Sequence, residues 1–310
     1  MENTVIIDWL TFRLEDISLN QVYAFLGINK EYFTRTQGFW GYDYADSYDG
    51  IKILFKQINF INNDYDQIQN RIIVNMSGSG CRTYEDISSY EWSYLLYQLI
   101  EIKAKITRLD IACDTEKLPL KKIHKLTYKF INNDKSNIVT NFQWCDINHS
   151  TKGLSLYFGS PKSNIRIRIY DKGAERGFEP YIRTRVEIQL RDDNAQYAVE
   201  HIINSHVSEA FYGILNNNLR FVNNDNENSS RKSNKKWWSV FLDHTRKLKT
   251  FRKLGREYNI QRVENNLKYH FGSNIKTYLI IKNQEELELL IQDVKLNKKQ
   301  KDLIDLYKNK

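Results

Sequence analysis

The stretch "NIRIRIYDKGAER" (164–176) alternates strictly. Ile165, Ile167 and Ile169 fall on one side of an extended chain, and Arg166, Arg168 and Tyr170 on the other. The isoleucines read as a core face, while the second face lines up two cations, a phenol and then Lys172. Two further segments repeat the arrangement. In "TRLDIACD" (107–114), Leu109, Ile111 and Cys113 oppose Arg108, Asp110, Ala112 and Asp114. In "RTRVEIQLR" (183–191), Val186, Ile188 and Leu190 oppose Arg183, Arg185, Glu187 and Gln189. Three half-buried strands with charged outer faces fit an antiparallel sheet.

A solvated sheet face laced with cross-strand ion pairs accounts for any one of these strands. The three together suggest chemistry. Asp110 and Asp114 flank a small alanine that leaves room between them, and carboxylate oxygens suit Mg²⁺ or Mn²⁺. A tyrosine is a poor nucleophile until cations stabilise its phenolate. Arg166, Arg168 and Lys172 are placed in sequence to do that and to hold a phosphodiester.

Outward from these strands, the rest of the chain reads as α+β. Strands are expected at 5–14, 50–58, 70–80, 106–114, 152–160, 164–172 and 182–191, the third ending in a glycine turn. Helices are expected at 19–27, stopped by Gly27, at 88–104 after a Ser88 cap, at 119–131 opened by Pro119, and at 192–206. A further helix with a strand-like tail is expected at 211–222. Both halves run strand, helix, strands, helix, which implies internally duplicated strand–helix–strand units forming a curved, mainly antiparallel sheet. Residues 1–222 then form one domain. "NNDNENSSRKSNKK" (223–236) has the composition of an exposed linker, and 237–310 reads as a smaller, mostly helical C-terminal region. Its basic run includes Arg246, Lys247, Lys249, Arg252, Lys253, Arg256 and Arg262, and is expected to lie along duplex DNA.

The 310 residues carry a formal net charge of +8 with 41% apolar residues, and a sequence pI of about 9.1. This balance favours a polyanionic partner, although a general Lys bias gives the same number. Cys81, Cys113 and Cys145 form no CxxC pair, which argues against a zinc ribbon or a disulfide framework. No signal peptide opens the sequence and no apolar run of about 18 residues occurs, so a cytoplasmic protein is expected and a membrane is not. There is no G-x-x-x-x-G-K-[ST] and hence no sign of ATP use. "GSGCRTYE" (78–85) lacks the third glycine of a dinucleotide site and reads as a turn, with Arg82 near a phosphate. The six histidines are scattered, with no His-x-His pair, and neither a His-x-x-Arg nor a helical nucleophile of a tyrosine recombinase is visible.

"TRLDIACD", "IRIRIYDKGAER" and "RTRVEIQLR", in that order, resemble the replication initiation factor family, which includes rolling-circle plasmid initiators and relaxases of conjugative elements. "MSGSGCRTYE" and "KKWWSVFL" bring the conjugative-element and phage branch closer. The resemblance spans about residues 5 to 265. It implies that Tyr170 is the nucleophile, with Lys172 and Arg168 beside it, and that Asp110, Asp114 and Glu187 form an acidic metal site; which aspartate ligates directly stays open. It implies a bacterial DNA-nicking transesterase that leaves a 5′-phosphotyrosine and a free 3′-hydroxyl at an origin. Arg82, Arg108, Arg166, Arg185, Arg252 and Lys253 are the expected DNA contacts. The expected partners are origin DNA, single-stranded or extruded, and a host helicase; a homodimer is left open. A non-catalytic DNA-binding protein using the same basic sheet is the competing reading.

Overall fold

The computed structural model describes residues 4–56, 68–151, 153–177, 183–242, 272–294 and isolated positions between 260 and 308. The chain divides into two compact units, Met1–Phe251 and Arg252–Lys310. In the first, ten described strands form one sheet in the order β2-β3-β4-β5-β1-β6-β11-β10-β9-β8, and every neighbouring pair is antiparallel. The N-terminal half supplies β1 (Thr4–Leu14), β2 (Thr34–Gln37), β3 (Tyr44–Tyr48), β4 (Ile51–Phe55) and β5 (Ile72–Met76). The second half supplies β6 (Lys105–Thr115), β8 (Cys145–Ser150), β9 (Gly153–Phe158), β10 (Ile165–Asp171) and β11 (Thr184–Arg191). The two sets meet at β1 and β6, and their spatial orders mirror each other outward from that junction. The expected duplication is therefore present in the topology.

Alternation builds the core. Leu10 and Phe12 of β1, Leu109 and Ile111 of β6, Ile167 and Ile169 of β10, and Val186 and Ile188 of β11 are buried on one face. They join one apolar cluster with α1 (Leu19–Leu26), α2 (Gly78–Ile87), α3 (Trp92–Glu101), α4 (Leu120–Ile131), α6 (Asp193–Ile203) and α7 (Val207–Asn218). Gly27 ends α1 in the left-handed region at φ 63°, as its sequence position suggested.

Several expectations change. Strands β2 and β3 were not foreseen, nor was β7 (Ile138–Thr140), which pairs with β12 (Leu219–Phe221) apart from the main sheet. Ser88 does not open a helix; it closes α2 and donates to the Leu26 carbonyl, while α3 begins at Trp92. The glycine-rich "MSGSG" is the start of α2, capped by Ser77, and not a turn. Its glycines serve a close approach: a Cβ on Gly80 would lie 2.3 Å from the Gly50 carbonyl oxygen of the β3–β4 hairpin. Thr83 and Ser77 both donate to that hairpin.

The expected linker at 223–236 is structured. Lys232 is buried and donates to the Ser136 carbonyl, Arg220 donates to the Lys232 carbonyl, and Val222 bridges Asn234. The helix α8 (Lys236–Leu242) then buries Trp238, Phe241 and Leu242 in the same apolar cluster. The division after residue 222 thus gives way to one after Phe251. Polar residues hid this return, because the buried atoms in it are satisfied by hydrogen bonds. In the second unit, helices Gly272–Ile281 and Gln284–Ile291 agree with the helical expectation. The basic run at 246–262 that was expected to read duplex DNA, with Arg252 and Lys253, lies outside the described residues. Among the described residues no helix is long and apolar enough to cross a membrane.

The central strands are fastened by a polar strut. Arg185 of β11, 4% exposed, donates through Nε and Nη2 to Asp114 of β6 (2.6 and 2.9 Å) and through Nη1 to Asp8 of β1 (2.9 Å). All three of its guanidinium nitrogens donate inside the protein, so it is a brace between strands. Arg185→Ala leaves two part-buried carboxylates unpaired and is expected to cost about 3–5 kcal/mol at pH 7 in urea unfolding. Hydrogen bonds from Arg185, opposed by burial, hold Asp114 below the usual carboxylate range. Its share of stability is present above the unfolded pKa and fades as pH falls through the lower folded value, so the mutant's deficit should shrink toward pH 3. A second expectation concerns α2. Alanine usually improves a helix by up to about 1 kcal/mol over glycine, yet Gly80→Ala should destabilise by about 1–3 kcal/mol through overpacking. Gly78→Ala, whose Cβ meets only ordinary contacts, should stay within about 0.5 kcal/mol of wild type.

Candidate active site

The polar face of β1, β6, β11, β10 and β9 gathers the residues singled out in the sequence. Register sets their neighbours: Glu187 faces Ala112, between Asp110 and Asp114 on β6, and faces Arg168 on its other side. Tyr170 faces Arg185 and Ser155, and Arg168 faces Tyr157. The alanine between the aspartates makes room for the Glu187 side chain to lie across it.

Asp8 is the member that alternation missed. By simple parity it would share the core face with Leu10 and Phe12. A register shift between Ile7 and Trp9 opposite β6 makes Asp8 the extra residue of a bulge, and its side chain turns to the polar face. There it meets Arg185, and the first residue of α2, Gly78, lies against its carboxylate. The only sequence signal was an acid inside the apolar run "VIIDWLTF".

These acids differ in how their charge is met. Asp114 has both oxygens on Arg185. Asp110 is held by Arg108 at 2.9 and 2.5 Å, yet burial keeps its pKa above the usual range. Glu187 is pushed up to about 7, first by burial and then by the negative charge of Asp110, with Asp8 adding to it. Asp8, Asp110 and Glu187 are thus mutually repelling carboxylates in a low-dielectric setting. As the side chains stand, no group of three His, Cys, Asp or Glu among the described residues is in ligating geometry.

The tyrosine is built in by the strand end. Asp171 caps a single helical turn, α5 (Lys172–Glu175), by accepting from the Ala174 N–H. Lys172 is therefore the first residue of that turn, not the next residue of the strand face. The turn brings its Nζ back to 3.5 Å from the Tyr170 hydroxyl and into an ion pair with Glu175. The Arg168 guanidinium lies 3.8 Å from the Tyr170 ring centroid. Tyr170 is only 3% exposed, and its pKa is raised, by burial first and then by Glu187. The cations around it do not by themselves make it a phenolate.

The expected DNA contacts separate into groups. Arg166 stacks over Tyr157 at 4.2 Å and Arg168 over Tyr170, and the Nε of each has no hydrogen-bond partner among the described residues. Arg108 stacks on Trp9 at 3.9 Å while holding Asp110. Arg82 donates to the Ile7 carbonyl (2.5 Å) and pairs with Glu85 (2.9 Å), and Arg185 is the internal brace. The latter two are engaged within the protein.

Known proteins resemble this chain in sequence and in fold. The "Rolling Circle replication initiation protein N-terminal domain" matches residues 4–100 and "Replication initiation factor" matches 104–293, so the two matches divide at the junction between the halves of the sheet. The chain is 26% identical to "Putative DNA relaxase NicK" of Bacillus subtilis (strain 168), over 96% of this chain and 87% of that protein. The solved rolling circle replication initiator protein from Geobacillus stearothermophilus superposes with a TM-score of 0.67 at 25% identity, covering 78% of this chain and 96% of that one. With more than half of its length matched and the fold in common, the chain belongs to the replication initiation factor family.

Proposed function

We propose that this protein nicks and rejoins one strand of origin DNA by transesterification, with Tyr170 as the nucleophile. The observation that carries the reading is the placement of Tyr170: a buried phenol beside Lys172 and under Arg168, one strand from Glu187 and two from Asp110. The Tyr170 oxygen attacks phosphorus, the P–O3′ bond breaks, and the products are a 5′-phosphotyrosine and a free 3′-hydroxyl. One phosphodiester replaces another, so the step reverses without ATP. Burial keeps the phenol neutral until substrate arrives, and Lys172 and Arg168 then stabilise the oxygen as its proton leaves. Arg166, stacked on Tyr157 beside Arg168, adds positive charge for the neighbouring phosphates.

Asp110 and Glu187 are the residues we assign to a divalent cation, Mg²⁺ or Mn²⁺, with Asp8 as the third carboxylate. The support is electrostatic: burial first, and then the like charges beside them, raise the pKa of Glu187 and Asp110, and a cation there would offset what Arg108 and Arg168 offset only in part. Such an ion, when bound, supplies polarisation of the scissile phosphate. Asp114 is left out of the set because the buried Arg185 holds both of its oxygens and keeps it below the usual carboxylate range, whereas Asp110, though also held through both oxygens, is paired with the part-exposed Arg108 and stays above that range. Strand separation falls to a helicase, since no ATP-binding motif occurs in these residues. The same nick serves replication and strand transfer, in line with the names of the two relatives.

Wild-type protein incubated with supercoiled origin DNA and Mn²⁺ should give a protein–DNA adduct on denaturing gels. Tyr170→Phe should give none while binding DNA within a few-fold of wild type; binding without adduct by the wild type would instead support the non-catalytic reading. The cation assignment has a separate readout. Glu187 has a folded pKa near 7 against about 4.3 unfolded, so its ionisation opposes folding, and stability is lost as pH rises from about 5 through 7. The metal-free protein should therefore melt lower at pH 8 than at pH 5.5. Glu187→Gln should reduce that difference, and Mn²⁺ should raise the melting temperature of wild type at pH 8 but not that of the variant.

A further inference from the structure

The β2–β3 connection reads "GFWGY" (38–42), and its shape is unusual for such residues. Trp40 sits in the left-handed region at φ 54°, where a bulky side chain is rare and strained. Gly41 follows at φ 81°, and a Cβ on Gly38 would lie 2.3 Å from the Tyr42 carbonyl oxygen, so both glycines are required by the turn. The result is a tight loop that holds the Trp40 ring 61% exposed. Phe39 supports it edge-on at 4.8 Å, and Lys52 lies 5.0 Å from the Phe39 ring centroid. A rigid, solvent-facing indole is not needed for the core.

Beside the ring is a cavity of about 270 Å³ lined by Trp40, Gly41, Tyr42, Lys56, Asn70 and Arg71. Arg71 hydrogen-bonds Tyr42, Arg13 adds charge from close by, and Lys56 makes a long contact (3.8 Å) with the exposed Asp43. Among the described residues, Arg71 and Lys56 put two cations on its lining, and the nearby Arg13 is itself paired with Glu15. Pairing register puts Arg13 and Lys52 on the same face as Trp9, Thr11 and Asn75, which is the face of the carboxylates. In the sheet order, β4 is five strands from β10. At about 4.8 Å per strand that is roughly 24 Å from the line of Tyr170.

We propose that this cavity is a binding site for one unpaired nucleotide of the DNA strand, with its base stacked on Trp40 and its phosphate held by Arg71 and Lys56. The proposal rests on the protein acting on DNA, as argued above, but it is independent of the nicking step. Aromatic rings flanked by cations are what a single strand selects, because every base offers a π-face and every linkage a charge. The site would anchor the strand on the half of the sheet that carries no nucleophile, while the other half cuts.

The test is equilibrium binding of a dT20 oligonucleotide, and of the same oligonucleotide carrying 2-aminopurine at single positions, without added metal. It is done in the Tyr170→Phe background, so that nothing is cleaved and failure of the nicking proposal, read as a missing adduct, stays a separate result. Trp40→Ala should weaken binding at least fivefold and abolish quenching of the stacked 2-aminopurine. Trp40→Phe should retain most of the affinity, and Arg71→Ala should reduce the salt slope by about one phosphate. Loss of less than fivefold in Trp40→Ala, or equal losses in Trp40→Ala and Trp40→Phe, would overturn the proposal. The side chain is exposed, so melting temperatures of the variants should match wild type, and binding differences then report contact with DNA.

Discussion

The Arg185 guanidinium is the point on which the two halves of the sheet and the active face depend. One planar group joins β11 to β6 through Asp114 and reaches β1 through Asp8, across the junction of the duplicated halves. Its burial would be costly without partners, and the fork geometry of arginine meets a carboxylate with two parallel bonds and still has a donor for another. The bulge at Asp8 is what brings the third strand into this arrangement. Because Asp8 is fixed here, its carboxylate is also fixed beside Asp110 and Glu187, and the structural brace and the acidic site share one residue.

Around that brace the charges are distributed unevenly. Asp114 is satisfied, Asp110 is partly satisfied by Arg108, and Glu187 is left with like-charged neighbours in a buried place. One strand further on, Tyr170 is a phenol raised in pKa by the same burial. An acid kept short of full ionisation beside a tyrosine kept neutral is the charge pattern on which the proposed binding of a divalent cation and a phosphodiester rests. Arg166 and Arg168 lie flat on aromatic rings, Arg168 also reaching Ser155, whereas all three guanidinium nitrogens of Arg185 are consumed by Asp114 and Asp8.

Much of this was legible in the sequence wherever alternation is regular. The strands around Leu109, Ile167 and Ile188, the duplicated order, and the shared polar face of Asp110, Tyr170 and Glu187 follow from period-two patterning. What escaped has specific causes. Asp8 was hidden because a bulge reverses parity, and no local letter announces a bulge. "TRTQ" and "YADSY" became strands β2 and β3 through antiparallel pairing, β3 on β4 and β2 on β3, and not through apolar alternation. The glycines of "GSG" looked like a turn because the role of Gly80 is to admit the Gly50 hairpin, a contact 30 residues away in sequence. Arg185 looked like a DNA contact because sequence shows a charge but not the two carboxylates that consume it. Residues 223–236 looked like a linker because burial of Lys232 depends on the distant Ser136 carbonyl.

The central claim is that the Tyr170 oxygen becomes the one bonded to DNA. Its most direct measurement is tryptic mapping by mass spectrometry of the adduct formed by unmodified protein on origin DNA after nuclease trimming. Cleavage after Arg168 and Lys172 isolates Ile169-Tyr170-Asp171-Lys172. The account predicts that the residual nucleotide mass is carried by this tetrapeptide. Nucleotide mass on the peptide containing Tyr157 or Tyr181, with Ile169–Lys172 recovered unmodified from the adduct, would contradict it.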